Sequence, residues 1–350
     1  MLDETSNPYS LLPAALRTGG RAKCEFLSGK PLSVDGGMPM KNPWKSNVVL
    51  APVFAPCLAL ASVSFAADAP ATQPAAQPAK SDQAPAGQRM FYASHSLMWD
   101  DPEPFGELAT AYGIKDQKID IQRMGFSRTQ QFWDQPEAQS QAKQALKTGN
   151  VDVFVMSPMD MPDTGVDGFV KLGLLNNPHM RFFVQNNWAG FNQDGQKAAQ
   201  NMMGPAHPWD NTTEEELKTL NTVCEKAFED QVKQINEEIG HPVLFIIPTS
   251  QANSDIRARI IRKEFPGLDK QSQLFLDNIG HPTPPLVTLN VYLHFATIYG
   301  KSPVGLPMPA VLKKANNPKW DDNFNKALQE LAWKTVTNYP LSGVKVSEAK

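Results

Sequence analysis

Ser96, Gly125, Asp277 and His281 are the residues of this chain whose types and settings could carry covalent chemistry. Ser96 follows the run Met90-Phe91-Tyr92-Ala93 and precedes a helix-like segment that starts near Asp101, with Pro102 and Pro104 at its head. Gly125 lies in Arg-Met-Gly-Phe-Ser, just past a second run of strand character. Asp277-Asn278-Ile279-Gly280-His281-Pro282 forms a loop ahead of an apolar helix. A serine hydroxyl is a poor nucleophile until an imidazole takes its proton, and a carboxylate usually holds that imidazole in the useful tautomer. A glycine lets backbone N–H groups come close to a developing oxyanion. The set reads as acyl transfer, with Ser96 as nucleophile, His281 as base, Asp277 as its orienter and Gly125 at the oxyanion. The plainer alternative for Ser96 is a turn serine that caps the next helix. His281 sits in a loop and can reach a site. His294 lies inside an apolar helix and reads as a satisfied core histidine.

These residues need a frame that brings them to one edge. Candidate strands fall at 89–93, 118–123, 151–156, 180–185 and 242–247. Several are near-continuous apolar runs, which suits strands covered on both faces. Helical patterns lie between them, at 137–147, 213–239 and 253–263, and two more follow at 285–299 and 321–336. Thr213 with Glu216 makes a capping box at the head of the longest. Segment 285–299 is apolar nearly all round and reads as buried. Alternating strands and helices imply an α/β fold, a three-layer α/β/α sandwich of the flavodoxin-like kind on a mostly parallel five-stranded sheet. In such sheets ligands bind at the carboxyl edge, where Ser96 and Gly125 are expected. Trp99, Trp133 and Trp188 follow strand ends and could line a sugar-accommodating cleft there.

The order of these blocks resembles the SGNH (GDSL-type) hydrolase superfamily, over roughly residues 88–299. The family places its nucleophile after the first strand in a Gly-Asp-Ser-Leu-like block. Ser94-His95-Ser96-Leu97 keeps the Ser-Leu pair and replaces the Gly and Asp. Gly125 matches the oxyanion glycine of the second block. The last block, Asp-x-x-His, is matched at its end by His281-Pro282, but Asp277 precedes His281 by four residues instead of three. That leaves Asp277, Asn278 or a backbone carbonyl to orient the ring. The third block, Gly-x-Asn-Asp, would fall on Ser157-Pro158-Met159-Asp160. Met159 there donates no hydrogen bond, and losing one oxyanion donor costs roughly a hundred- to a thousandfold in turnover. Asn187, at the end of the fourth strand, is the substitute donor. His95, adjacent to Ser96, is expected to point away from the hydroxyl and takes no catalytic role. The resemblance implies an ester hydrolase with no cofactor and no metal, acting on acyl esters or acetylated carbohydrates.

The rest of the chain bounds the setting. Its 350 residues are 41% hydrophobic and 20% charged, with a formal net charge of −3. No Lys/Arg block stands out, which argues against nucleic acid as a partner. Of three cysteines, Cys24 and Cys57 precede the body, so Cys224 has no partner there for a disulfide and reads as a small apolar residue on a helix. Residues 1–37 show no periodicity and read as a disordered leader or a start codon placed too early. Residues 38–66 carry Lys41 and Lys45, an apolar run and Ser64-Phe65-Ala66, the parts of a secretory signal peptide. A membrane anchor is the rival, but Pro52 and Pro56 interrupt the run, and no stable span is expected after cleavage. Residues 67–87, rich in Ala, Pro and Gln, read as a linker ahead of a domain at 88–350. The expectation is an exported serine hydrolase, periplasmic or extracellular, whose partner is a small-molecule or carbohydrate ester. The alternative is a catalytically weak binding module on the same fold, favoured by Met159.

Overall fold

The first strand, β1 (Arg89–Ser94), is apolar on both faces from Met90 to Ala93, so it is stable only between two covering layers. In the computed structural model, which describes residues 84–159, 161–188 and 207–345 (without the side chains of 207, 208, 220, 221, 223 and 224), it receives both. The expected leader, signal peptide and most of the linker lie outside the described residues, as do Asp160 and the Cys224 side chain. β1 pairs in parallel with β2 (Lys118–Arg123) on one side and with β3 (Val153–Met156) on the other. β4 (Arg181–Gln185) and β5 (Leu244–Ile247) extend the sheet in parallel, giving the order β2-β1-β3-β4-β5. The chain winds one way from β1 to β2 and the other way from β3 onward. The reversal falls at β1 and β3, whose carboxyl ends are the place where doubly wound sheets bind ligands.

Successive side chains along a strand point to opposite faces, which sorts the core into two layers. Met90, Tyr92, Val153, Val155 and Phe183 pack against α1 (Pro102–Tyr112), α6 (Thr249–Ile261), α7 (Pro284–Tyr299) and α9 (Asp322–Asn338). Phe91, Ala93, Phe154, Met156, Phe182 and Val184 pack against α2 (Thr129–Asp134), α3 (Gln141–Lys147), α4 (Thr164–Asn176) and α5 (Glu214–Ile239). The fold is the expected three-layer sandwich. Residues 285–298 of α7 are buried throughout, as their apolar run requires. Thr213 and Glu216 form the capping box that opens α5. A short helix, α8 (Ala310–Lys314), precedes α9.

The segment expected as one helix at 137–147 is divided: a short 3-10 turn over Glu137–Gln139 precedes α3, with Ser140 capping the latter through Lys143 N–H at 3.2 Å. Helix α4 carries Gly165, Gly168 and Gly173, which hide its helical pattern. Each glycine costs about 1 kcal/mol against alanine in a helix interior. Burial of Val166, Phe169 and Val170, at about 1.5–3 kcal/mol each, outweighs that. A Cβ at Gly168 would lie 2.6 Å from the Trp133 ring and one at Gly173 2.5 Å from Phe182, so the glycines permit close seating on α2 and the sheet.

Candidate active site

β1 ends beside β2, with Ser94 in register with Arg123. The backbone then turns through a single 3-10 turn at Ser96–Met98, closed by Met98 N–H to the His95 carbonyl at 3.0 Å. His95 is extended and caps this turn with its side chain: Nδ1 accepts the Leu97 N–H at 3.2 Å. Ser94, His95, Leu97 and Met98 are buried, whereas Ser96 is partly exposed. Neither the Ser96 hydroxyl nor its N–H has a hydrogen-bond partner among the described residues. The turn thus presents one serine outward from a buried base.

The 277–281 loop is built around one carboxylate. Phe275 and Pro282 pair as an antiparallel bridge, and Leu276 N–H bonds the His281 carbonyl at 2.8 Å. Within this hairpin Asp277 Oδ1 accepts the N–H groups of Ile279, Gly280 and His281 at 3.0, 3.0 and 3.2 Å. Its Oδ2 lies 2.6 Å from His281 Nδ1. A carboxylate only accepts, so Nδ1 carries a proton, and in the neutral ring Nε2 keeps its lone pair. Asp277, not Asn278, therefore bonds the ring. Gly280 within this loop adopts φ 95°. The hairpin sits on aromatic rings: Trp209 stacks on Phe275 with centroids 3.7 Å apart and donates Nε1–H to the Asp277 carbonyl at 3.0 Å.

The Ser96 turn and the His281 ring are electrostatic neighbours. Burial drives the pKa of His95 down to about 3, and His281 adds to the depression. Burial and Glu103 raise Asp100, while Arg123 and His281 pull it back. His281 thus acts on residues to either side of Ser96, with its own side chain 20% exposed. No hydrogen bond joins Ser96 to His281 among the described residues; such bonds are often long before substrate binds.

Gly125 follows β2 and is exposed, and Met124 N–H extends the pairing to the Ser94 carbonyl at 3.0 Å. The Gly125 N–H also has no acceptor among the described residues, and a Cβ there would meet nothing within 4 Å. Asn187 reaches the same edge but is buried, and its Nδ2 donates to the Pro158 carbonyl at 2.6 Å. Met159 is partly buried beside it.

His95 Nε2 lies 2.9 Å from Ser157 Oγ, which in turn is 3.4 Å from Asn187 Oδ1. This contact is absent from the sequence reading. Its signal was available: Ser157 follows β3 directly, as Ser94-His95-Ser96 follows the body of β1.

The tryptophans separate. Trp188, expected on the cleft wall, is 1% exposed. A Cβ at Gly280 would lie 2.9 Å from its Nε1, so Trp188 supports the His281 loop from below and cannot line a cleft. Trp133 packs edge-on against Phe169. Trp99 is 39% exposed beside the Ser96 turn, under the Arg123 guanidinium 5.6 Å from its ring centroid. Arg123 also bonds the Trp99 carbonyl at 3.0 Å and Glu103 at 2.6 Å. Phe126, next to Gly125, is 60% exposed. His294 is a core histidine, with Nε2 2.8 Å from Gln185 Oε1 and Nδ1 3.3 Å from the Tyr92 hydroxyl. Among the described residues there is no cluster of three or more His, Cys, Asp or Glu that could hold a metal, and no helix long and apolar enough to cross a membrane.

No protein-family model matches the chain. Among solved structures it is similar to a DUF4886 family protein from Bacteroides uniformis ATCC 8492, at 15% identity and a TM-score of 0.49, over 75% of this chain and 98% of that one. Among curated proteins it is 24% identical over 231 residues to the probable protein kinase UbiB of Yersinia pestis (strain Pestoides F) and of Yersinia pseudotuberculosis serotype O:1b (strain IP 31758). These matches cover 65% of this chain, which spans 41% of the length of those relatives.

Proposed function

We propose that the chain is an exported serine hydrolase of the SGNH type that cleaves ester bonds. Ser96 Oγ attacks the ester carbonyl while His281 Nε2 takes its proton. The N–H groups of Ser96 and Gly125 receive the oxyanion. Collapse of the tetrahedral intermediate expels the alcohol, protonated by His281. Water, deprotonated by the same nitrogen, then frees the acid and restores Ser96. Asp277 keeps the ring in one tautomer and stabilises the imidazolium. The observation that carries this reading is the Asp277–His281 pair, in which the carboxylate holds the ring by Nδ1 at 2.6 Å; the turn that presents Ser96 outward supports it. The N–H groups of Ser96 and Gly125, without partners among the described residues, give it further support.

The substrate is a small-molecule or carbohydrate ester. With Trp188 withdrawn into the core, Trp99 beside the Ser96 turn and Phe126 next to Gly125 are exposed aromatic rings. A sugar bearing an O-acetyl group matches this setting, because its acyl part needs little room and its ring can lie on an aromatic face. The kinase name of the curated relatives rests on less than half of their length, and the sequence carries no phosphate-cradling glycine loop. A second reading, a binding module on this fold, is favoured by one observation. The Met159 side chain offers no donor, and Asn187 is buried with one of its two amide N–H groups spent on the Pro158 carbonyl.

Hydrolysis of p-nitrophenyl acetate by the full chain and by Ser96→Ala tests the choice. Turnover by the first that is lost in the second is expected. Equal rates would overturn the role of Ser96, and no turnover by either would favour binding.

A further inference from the structure

Resting on the reading of Ser96 as nucleophile, we propose that His95 is a positioning residue, a neutral imidazole that clamps the Ser96 turn to the carboxyl ends of β3 and β4 through Ser157 and Asn187.

The hydrogen bonds admit one proton order. Leu97 N–H can only donate, so His95 Nδ1 is unprotonated. A neutral ring then carries its proton on Nε2 and donates it to Ser157 Oγ at 2.9 Å. Ser157, having accepted, has its own hydroxyl proton to give, and Asn187 Oδ1 stands 3.4 Å away. The Asn187 amide closes the series by donating to the Pro158 carbonyl at 2.6 Å. Every group is buried: His95 and Ser157 are each 2% exposed and Asn187 5%. The path runs from the turn after β1 to the ends of β3 and β4, where the strand order reverses.

The same order rules out the rival use of these atoms. Ser157 beside an imidazole invites a second serine–histidine pair. An imidazole with its proton on the shared nitrogen cannot take the serine proton, and no substrate reaches a hydroxyl buried to this degree. What the ring does is fix its own backbone and the N–H of Leu97. Ser96 lies between those two points, so its backbone, and with it the Cα–Cβ bond that aims the hydroxyl, is held in place. A shift of about 1 Å in a reacting group can cost on the order of a hundredfold in rate.

The test compares the wild-type full chain with His95→Ala, His95→Asn and Ser157→Ala, measuring kcat and KM on p-nitrophenyl acetate alongside thermal melts. His95→Ala should lower kcat about a hundredfold with KM changed less than about threefold, a pattern of misplacement that a general loss of folded protein does not give. The Oδ1 of His95→Asn can accept the Leu97 N–H, as asparagine does at helix N-caps, and should recover at least about a tenfold share of that loss. Nitrogen-15 NMR of the His95 ring should show a single Nε2–H tautomer in the wild type, kept in Ser157→Ala because the Leu97 N–H still occupies Nδ1. Three results would overturn the clamp: kcat of His95→Ala within about twofold of wild type, His95→Asn no better than His95→Ala, or an Nδ1–H tautomer. If His95→Ala fails to fold, Ser157→Ala decides: a kcat lowered at least about tenfold with KM changed less than about threefold supports the clamp, and a kcat within about twofold of wild type overturns it. If Ser96→Ala is as active as wild type, the proposed function fails instead, and the ring tautomer alone decides the clamp.

Discussion

Asp277 Oδ2 accepts the Nδ1 proton of His281 at 2.6 Å, while Oδ1 of the same carboxylate accepts three backbone N–H groups of its own loop. One side chain therefore sets both the shape of the hairpin and the tautomer of the ring. The two duties can be separated. Asp277→Asn can keep its one carbonyl oxygen for the backbone donors but then turns an N–H towards the imidazole. Its kcat should fall on the order of a thousand- to ten-thousandfold, the range seen when a triad carboxylate is made an amide. Its melting temperature should fall less than that of Asp277→Ala, which removes both duties. Steady-state kinetics and thermal melts on both variants check this.

Gly280 is required by its surroundings rather than by chemistry. Its φ is 95°, and a Cβ would stand 2.9 Å from Trp188 Nε1 and 3.0 Å from Trp209 Cζ2. Gly300 offers the control, with φ 61° and nothing within 4 Å of an added Cβ. Both alanine variants carry the cost of a left-handed residue, about 1–3 kcal/mol. Gly280→Ala adds the displacement of two buried indoles. It should lose more stability than Gly300→Ala in urea unfolding and should also lower kcat, because Asp277 and His281 move with the loop.

On the substrate side, the expectation concerns Trp99. If a sugar ring lies on its exposed face, Trp99→Ala should raise KM for an acetylated xylo-oligosaccharide roughly fivefold more than KM for p-nitrophenyl acetate, from the loss of about 1 kcal/mol of ring contact. An equal change in both would remove Trp99 from sugar recognition. Phe126, held outward at φ 54°, should behave in the same way if it shares the contact.

Acid should reach the site through its buried base. The His95 pKa is pushed from its ordinary value of 6.5 to about 3, so between those limits the unfolded chain holds a proton that the folded chain does not. Stability contributed by this group is therefore full above about pH 6.5 and declines as pH falls towards 3. Asp101 is buried and displaced upward, and its contribution has the opposite sign. Comparison with His95→Asn isolates the histidine. Wild type should take up one more proton on unfolding than this variant between about pH 6.5 and 3. Proton uptake obtained from the pH dependence of urea melts measures it.

Much of the frame was legible in the chain. Buried parallel strands are short apolar runs, and β2 through β5 fall inside the runs expected for them. Helix α4 was not legible, because Gly165, Gly168 and Gly173 serve contacts with residues distant in sequence. At the site, Asp277 and His281 share one short loop, so their pairing could be foreseen even with altered spacing. The bond from His95 to Ser157 joins residues 62 positions apart, and only the parallel register of β1 and β3 brings them together. Trp188 misled for the same reason. A tryptophan after a strand resembles a cleft wall until the loop that covers it is known.

Covalent capture of the nucleophile tests the central claim most directly. The full chain is treated with a fluorophosphonate, digested, and the modified residue located by mass spectrometry, with Ser96→Ala and His281→Ala treated in parallel. The expected result is a single adduct on Ser96, absent from Ser96→Ala and formed far more slowly in His281→Ala. An adduct on another residue, or labelling of Ser96 at an unchanged rate without His281, would contradict it.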